Sequence, residues 1–423
     1  MKKGGKIPGS ALFYALLLAV IVAVLSTALI TASYYYQSLH QQQALQLKLI
    51  YNLESATSLL LNGNWKMGET IEGGLYGQPA DSFQLKIQPW GIYPAATVKA
   101  FKTTAFGKQE RARAALLGRR QSEVGGSALY LQDNYKPLAL CGHTRIRGEA
   151  FIPSSGILKG RISGHAYSGG QMVYGREKPS RPTMPPLDTT ALLATLNRWE
   201  AAARAPYYQG ALPDSLWQPF LDTTITIHSR TIHLQRQQLA GNIILLADSL
   251  IRVGPGARTE DIVLYAPEII IEAGFSGSLQ AIASRSIQVQ ENAQLEYPSS
   301  LALLDGPARQ PGATPRLHLA AGAQLAGMLL AANIGAKPTE APEAILAPGS
   351  TVEGMVYANG PLELQGTVKG HVSCRNFHLK IKGRGYYNHL LDAVIDAAAL
   401  EEYFSNAPIM QTREKWVASK WLK

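Results

Sequence analysis

The sequence predicts a mainly β protein: a long N-terminal transmembrane α-helix, a small antiparallel sheet, then an interrupted β-solenoid (β-helix) with a C-terminal capping helix. Three observations carry this. No formal charge falls between Ile7 and Leu47, and Ala11 to Ala32 form an unbroken apolar segment. Downstream, short β-branched runs recur about every 18 residues. A glycine-punctuated pattern then repeats three times between Gly322 and Cys374. Composition agrees. Of 423 residues, 46% are hydrophobic and 17% charged, which marks a globular chain, and 39 Gly with 24 Pro favour turns over long helices.

A helix needs about 20 apolar residues to cross a bilayer, and residues 11–32 supply them. Lys2, Lys3 and Lys6 precede the run, and the next cation is Lys48. The positive-inside rule therefore places the N-terminus in the cytoplasm. This is the pattern of a single-pass protein of a bacterial inner membrane, with its C-terminal domains periplasmic or extracellular. The run is longer than the apolar region of a cleaved signal peptide, about 7–15 residues. Tyr34-Tyr35-Tyr36 reads as an interfacial aromatic belt. From Tyr34 to Leu61 there is no Pro or Gly, and Leu45, Leu49, Leu53, Ala56 and Leu60 form one stripe at helical spacing. Asn62-Gly63 supplies the stop. The predicted segments are a basic leader at 1–9 and one transmembrane and amphipathic helix at 10–62.

A short basic leader ending in Gly, followed by an uncharged helix with an amphipathic second half, resembles the type IV pilin and pseudopilin superfamily, especially its minor-pilin branch. The resemblance covers about the first 60 residues. It implies cleavage after Gly9, a mature chain opening on Ser10-Ala11-Leu12, and pilus-like assembly partners. Major pilins carry Glu at the fifth mature position, where this chain has Tyr14.

Residues 63–126 are expected to form an antiparallel meander. Phe83, Leu85 and Ile87 alternate with polar residues, and Gly91 and Phe106-Gly107 mark turns. A first solenoid-like segment follows at 127–178, with a partial repeat at Gly156 to Ile162. Pro179 to Pro186 opens a linker with a short helix at about Thr189 to Arg204, together spanning 179–216. The main solenoid is expected at 217–385. Leu250, Ile269 and Ile287 begin equivalent strands there, and Gly256-Ala257, Gly274-Phe275 and Asn292-Ala293 mark equivalent corners. Gly322 to Ala331, Gly349 to Ala358 and Gly366 to Cys374 align as further repeats, and this grammar resembles bactofilins and other polymer-forming solenoids in texture. A β-sandwich is the competing fold. Ile270, Val289, Leu329 and Val356 are predicted to point inward, and Gly306 to Pro315 and Gly335 to Pro342 to be loops between rungs. Segment 386–423 is read as a capping helix, Tyr387 to Phe404, and a basic tail holding Arg413, Lys415, Lys420 and Lys423.

Little in the sequence points to chemistry. There is no Gly-x-Ser-x-Gly elbow, P-loop or His-Glu-x-x-His. Cys141 and Cys374 are the only cysteines, which excludes a disulfide-dense scaffold and a four-cysteine zinc site and leaves one disulfide open. His371, Cys374 and His378, joined by Cys141 and His143, would make a metal set only if the two regions met, and Cys374 and His378 would share a strand face. His228 and His233 face opposite ways in one strand and read as surface residues. Asp248, Glu260, Asp261, Glu268 and Glu272 fall in one stretch, as a polysaccharide-cleaving solenoid would require, but they flank apolar runs and read as rim charges.

No catalytic, cofactor or metal site is therefore assigned. The expected function is structural: a membrane-anchored scaffold or adhesion component of the cell envelope displaying a β-solenoid. The alternative is a β-helix polysaccharide lyase or hydrolase acting on envelope or extracellular glycans. The expected partners are the lipid bilayer through residues 11–32 and assembly partners of the envelope or a pilus-like fibre. A net charge of +10, read as spread along the chain, fits an anionic polymer, and no specific nucleic-acid signal is present.

Overall fold

A computed structural model describes residues 9–63, 65–76, 78–104, 107–120, 127–204, 206–305, 314–335, 341–410 and 415–423. The leader with Lys2, Lys3 and Lys6, Phe106, most of the loops at 306–315 and 335–342, and Arg413 lie outside the described residues. The chain is mainly β with one long N-terminal apolar helix. It divides into two compact units, one of Met1–Ala56, Gly73–Phe83 and Lys99–Arg111, the other of Thr57–Glu72, Gln84–Val98 and Ala112–Lys423.

Helix α1 runs from Gly9 to Asn62. It ends as the sequence predicts, with the Gly63 amide donating to Leu59 O at 2.9 Å and Asn62 Nδ2 donating to Ser58 O at 2.9 Å. Its apolar half is uncovered: Leu12 is 66% exposed and Leu29 72% exposed. In the amphipathic half Leu49, Ala56 and Leu60 are buried and Leu45 and Leu53 half-buried, so the predicted stripe is the face that packs.

Strands β1 (Thr70–Leu75), β2 (Gln78–Gln88), β3 (Ala95–Thr104) and β4 (Gly107–Arg120) lie side by side in that order. The two-residue links after β1 and β3 can join only antiparallel neighbours. The C-terminal tail then completes this sheet. Ser405–Asn406 and Trp416–Leu422 both pair antiparallel with β4. The tail is therefore structural strand, which corrects its reading as a basic extension.

From Ser127 onward the pairing is predominantly parallel. Ile232, Ile251, Ile269 and Ile287 lie side by side in successive strands, at steps of 19, 18 and 18 residues. The partner of Ile269 is Ile251, one residue beyond the Leu250 expected from sequence. Each turn holds a short strand such as Gln238–Gly241 and a long one such as Ile243–Val253 whose register breaks between Leu246 and Leu250. The predicted corners are present. Gly274 and Asn292 sit at φ +75° and +56°, and Ala257, Phe275 and Ala293 are buried beside them.

The three glycine-punctuated repeats align residue for residue, Gly327 beside Gly354 beside Gly370. All three have positive φ, and a Cβ on each would lie 1.9–2.1 Å from the preceding turn's carbonyl oxygen. Only glycine fits where backbone passes this close to backbone. Alternate side chains fill one interior core. Val289, Leu329 and Val356 belong to it as expected. Ile270 does not, because Ile269 and Ile271 take the inward positions and alternation turns Ile270 outward.

The predicted helix at Tyr387–Phe404 is absent. Arg384–Tyr387, His389–Leu391 and Val394–Asp396 are strands, followed by one 3-10 turn at Ala397–Ala399. Asn388 and Asp392 have φ of +53° and +55°, a conformation that no α-helix tolerates, and they corner the chain so that Leu390 and Ile395 enter the core. These strands share a further layer with Ser127–Leu131, since Leu129 pairs with Val372 as Ile395 pairs with Val368, and the strands that follow from 138 stack upon that layer, Ala139 beside His389 and Ile146 beside Ile395. The first solenoid-like segment thus lies beyond the last turn, far from its place in sequence.

One outer row of the long strands is apolar too. Leu246, Tyr265, Ile282, Leu330 and Tyr357 face outward and are covered by Trp90, Tyr93, Leu116 and Ile409 and by helix α2 (Thr189–Ala202) through Leu192. Helix α2 appears where the sequence placed it, N-capped by Asp188, whose carboxylate accepts from the Thr190 and Ala191 amides.

Candidate functional site

Another outer row of the parallel strands is polar. Its register places Arg316 beside Glu343 and His318 beside Ile345, with Ile345 beside Glu363 in the next turn. The inward neighbours Leu317, Ala344, Leu346, Leu362 and Leu364 are fixed in the core, so strand alternation turns the polar residues out. Glu343 is nonetheless buried. Lys380 Nζ donates to Glu343 Oε1 at 2.5 Å, and Arg316 donates to Oε2 through Nε at 3.1 Å and Nη2 at 3.0 Å. Glu363 is buried beside them, its Oε1 accepting from Gln365 Nε2 at 2.8 Å.

Environment separates the two carboxyls. Burial would raise Glu343, but Lys380 and Arg316 outweigh it and hold the group below the usual range. Burial raises Glu363, with the nearby Glu343 charge adding and Gln365 and Lys380 opposing. Diverging pairs of this kind are the mark of acid and base assignments in hydrolases. In this pair both oxygens of Glu343 are already occupied by cations, and Glu363 accepts from Gln365. The pair was missed in the sequence because Glu343 and Glu363 stand 20 residues apart and come near only through the stacking of turns, in which Ile345 is the register partner of Glu363.

The residues weighed from sequence fall elsewhere. His371 is buried with Nδ1 against Ser127 O, and burial draws its imidazole down to about 4, keeping it neutral. Cys374 lies in the core, and His378 is turned out on the far side of a corner, with Phe377 taking the inward position, so Cys374 and His378 do not share a face. Cys141 and Cys374 are free, buried thiols, each raised by burial. His143 lies 2.9 Å from Ser168 Oγ through Nδ1, and the carboxylate nearest it, Asp392, accepts from its backbone amide rather than its ring. Among the described residues no group of three or more His, Cys, Asp or Glu could hold a metal ion.

His228 is not a surface residue. Its Nε2 lies 2.9 Å from Asp248 Oδ1, Tyr207 donates to Asp248 Oδ2, and the Tyr207 ring covers the imidazole at 4.6 Å. Hydrogen bonds from His228 and Tyr207 hold Asp248 below the ordinary carboxylate range. His233 is exposed, as expected. Glu260 and Asp261 pair with Lys420, Glu272 with Arg252, and Glu268 with Arg285, so these carboxylates form separate ion pairs rather than one convergent site.

Within the other unit, Asp81 is fully buried between Lys48 Nζ at 2.6 Å and Lys102 Nζ at 3.6 Å. Burial would raise its carboxyl, but hydrogen bonding to Lys48, the charges of Lys102 and Lys48, and Asn52 outweigh it and draw it below the ordinary carboxylate range. This cluster ties β2 and β3 to α1. Comparison with known proteins returns no match: no family model, no curated protein and no solved structure is significantly similar to the chain.

Proposed function

We propose that this chain is a membrane-anchored, non-cytoplasmic structural or interaction protein of the bacterial cell envelope, which displays a β-solenoid as a scaffold or adhesion surface. The uncovered apolar half of α1 carries the reading. Side chains from Leu12 to Ile30 that are roughly half to three-quarters exposed have no protein cover, and lipid is the solvent that removes that penalty. In-register parallel turns with glycine corners support a solenoid body, which is rigid because each turn is locked to the next. The N-terminus is cytoplasmic on this reading, and the chain crosses the inner membrane once. If the pilin likeness is functional, the mature chain begins at Ser10 and assembles with pilus-like partners.

A reporter active only in the cytoplasm, fused after Lys423, should be silent, and the chain should stay in the membrane pellet after alkaline carbonate washing. An active reporter, or release by carbonate, would sink the reading. N-terminal sequencing separates Met1 from Ser10.

A second reading, a β-helix lyase or hydrolase of envelope glycans, is favoured by one observation: the opposed displacement of Glu343 and Glu363 on the polar outer row. It requires release of sugar ends from envelope glycan by the wild type and loss of that release in Glu363→Gln.

A further inference from the structure

The net charge of +10 is not spread along the chain. Residues 127–403, which hold the parallel turns, carry 23 Lys and Arg against 23 Asp and Glu, so the whole excess lies in the leader, α1, the first sheet and the tail that completes it. A surface evolved only for solubility has no reason to leave its largest part neutral and gather the excess around the helix and its sheet. The described residues of the smaller unit show one concentration. Lys99, Lys102, Lys108 and Arg111 on β3 and β4 join Lys48 of α1, and the carboxylates facing them are Asp81, buried between Lys48 and Lys102, and exposed Glu110, 3.5 Å from Lys108. Glu54, the unit's remaining carboxylate, lies two turns farther along α1.

We infer that the β3–β4 ribbon, through Lys99 and Lys108, is a docking surface for the anionic phospholipid headgroups of the bilayer that holds α1. This rests on the membrane reading. Arg111 donates to Gln46 Oε1 through Nε at 3.0 Å and Nη2 at 2.7 Å, which fixes the ribbon's height on the helix. Gln46 is ten residues beyond Tyr36, or about 15 Å at 1.5 Å per residue. Headgroups extend about 5–7 Å beyond the hydrocarbon, leaving a gap of about one screening length at physiological salt. Cations at that height feel an anionic leaflet without touching its apolar core. Lys108 also lies 3.9 Å over the Phe101 ring, giving the ribbon the mixed basic and aromatic character of an interfacial surface. A single helix fixes depth but leaves tilt free, and a lateral electrostatic contact would set the tilt.

The two native cysteines are buried, so a Thr103→Cys chain takes one fluorophore on the exposed face of this ribbon. The full chain is reconstituted in phosphatidylcholine vesicles with or without about 30 mol% phosphatidylglycerol, with headgroup-quencher lipid in both, the contact scaling with surface charge. Quenching should rise with phosphatidylglycerol, fall with added salt, and weaken about twofold for each cation removed in Lys99→Gln and Lys108→Gln, which leave the Asp81 and Gln46 contacts intact. Equal quenching in both vesicles overturns the inference. A ribbon that ignores phosphatidylglycerol but is shielded by soluble polyphosphate binds a polymer instead, which also overturns it. Failure of the chain to float with either vesicle rejects the membrane reading itself.

Discussion

Asp81 is a buried carboxylate whose partners come from both α1 and β3, and that placement makes it the residue on which helix and sheet agree. Its carboxyl is held below the ordinary aspartate range in the fold, so its contribution is full at neutral pH and is lost as pH falls through the depressed value. Asp81→Asn should remove that acid-sensitive part, and the pH profile of thermal unfolding should flatten below about pH 4 relative to wild type. An unchanged acid limb would show that Asp81 is not ion-paired in the folded chain. The glycine corners make a second, steric test. Gly370→Ala places a Cβ 2.0 Å from Gly354 O at φ +138°, whereas Gly383→Ala meets nothing within 4 Å. Gly370→Ala should destabilise by on the order of 3 kcal/mol, and Gly383→Ala by about 1 kcal/mol or less, its positive φ being its only strain. Equal midpoints in denaturant would contradict the corner register. The glycines of the three aligned repeats, Gly370 among them, were legible in the sequence because a steric requirement admits one residue type. Ile270 was not, because three consecutive isoleucines leave the phase of alternation open.

At the scale of elements, the sequence was readable wherever one period dominated. Helix α1 and its stop at Asn62-Gly63, helix α2, and the repeats from Gly322 to Cys374 all lie where pattern and propensity agree. The segment 387–404 was misread because Leu390, Leu391, Val394, Ile395 and Ala398 fit a helical stripe as well as cornered strands. Asn388 and Asp392 decide between the two, since asparagine and aspartate tolerate positive φ and take the corners. The Asn388 side chain ties this corner down: its Oδ1 accepts from the Phe377 amide at 3.3 Å and its Nδ2 donates to Asn134 Oδ1 at 2.9 Å. Ending the chain at Gly385 therefore removes a layer of the core, not a cap. The truncated chain should aggregate or lose its cooperative unfolding transition, because the edges of Thr367–Ile381, Leu138–Cys141 and Arg145–Arg147 lose partners together. A well-folded monomer of unchanged midpoint would refute the placement of residues 389–396.

At the scale of the molecule, the order of layers differs from the order of sequence, and no local signal encodes that. Glu343 and Glu363 were invisible for the same reason, coming near only through the stacking of turns. The consequence is thermodynamic. In a repeat protein whose turns follow one another, damage propagates to sequence neighbours. Here Ile395 is fully buried with Val368 on one side and Ile146 on the other, so its nearest neighbours include a strand about 250 residues upstream. Ile395→Asp buries an unpaired charge and should open that layer, at a penalty of several kcal/mol. Hydrogen exchange should then speed up not only at Thr367–Ile381 but also at Ser127–Leu131 and Arg145–Arg147, while strands Ile243–Val253 and Ile262–Ile271, several turns away, keep their protection longer. Faster exchange confined to residues after 367, with 127–152 unaffected, would mean that the early segment folds on its own and that the layer is not shared. Faster exchange everywhere at once would mean that the body unfolds as one cooperative unit with no nearest-neighbour character.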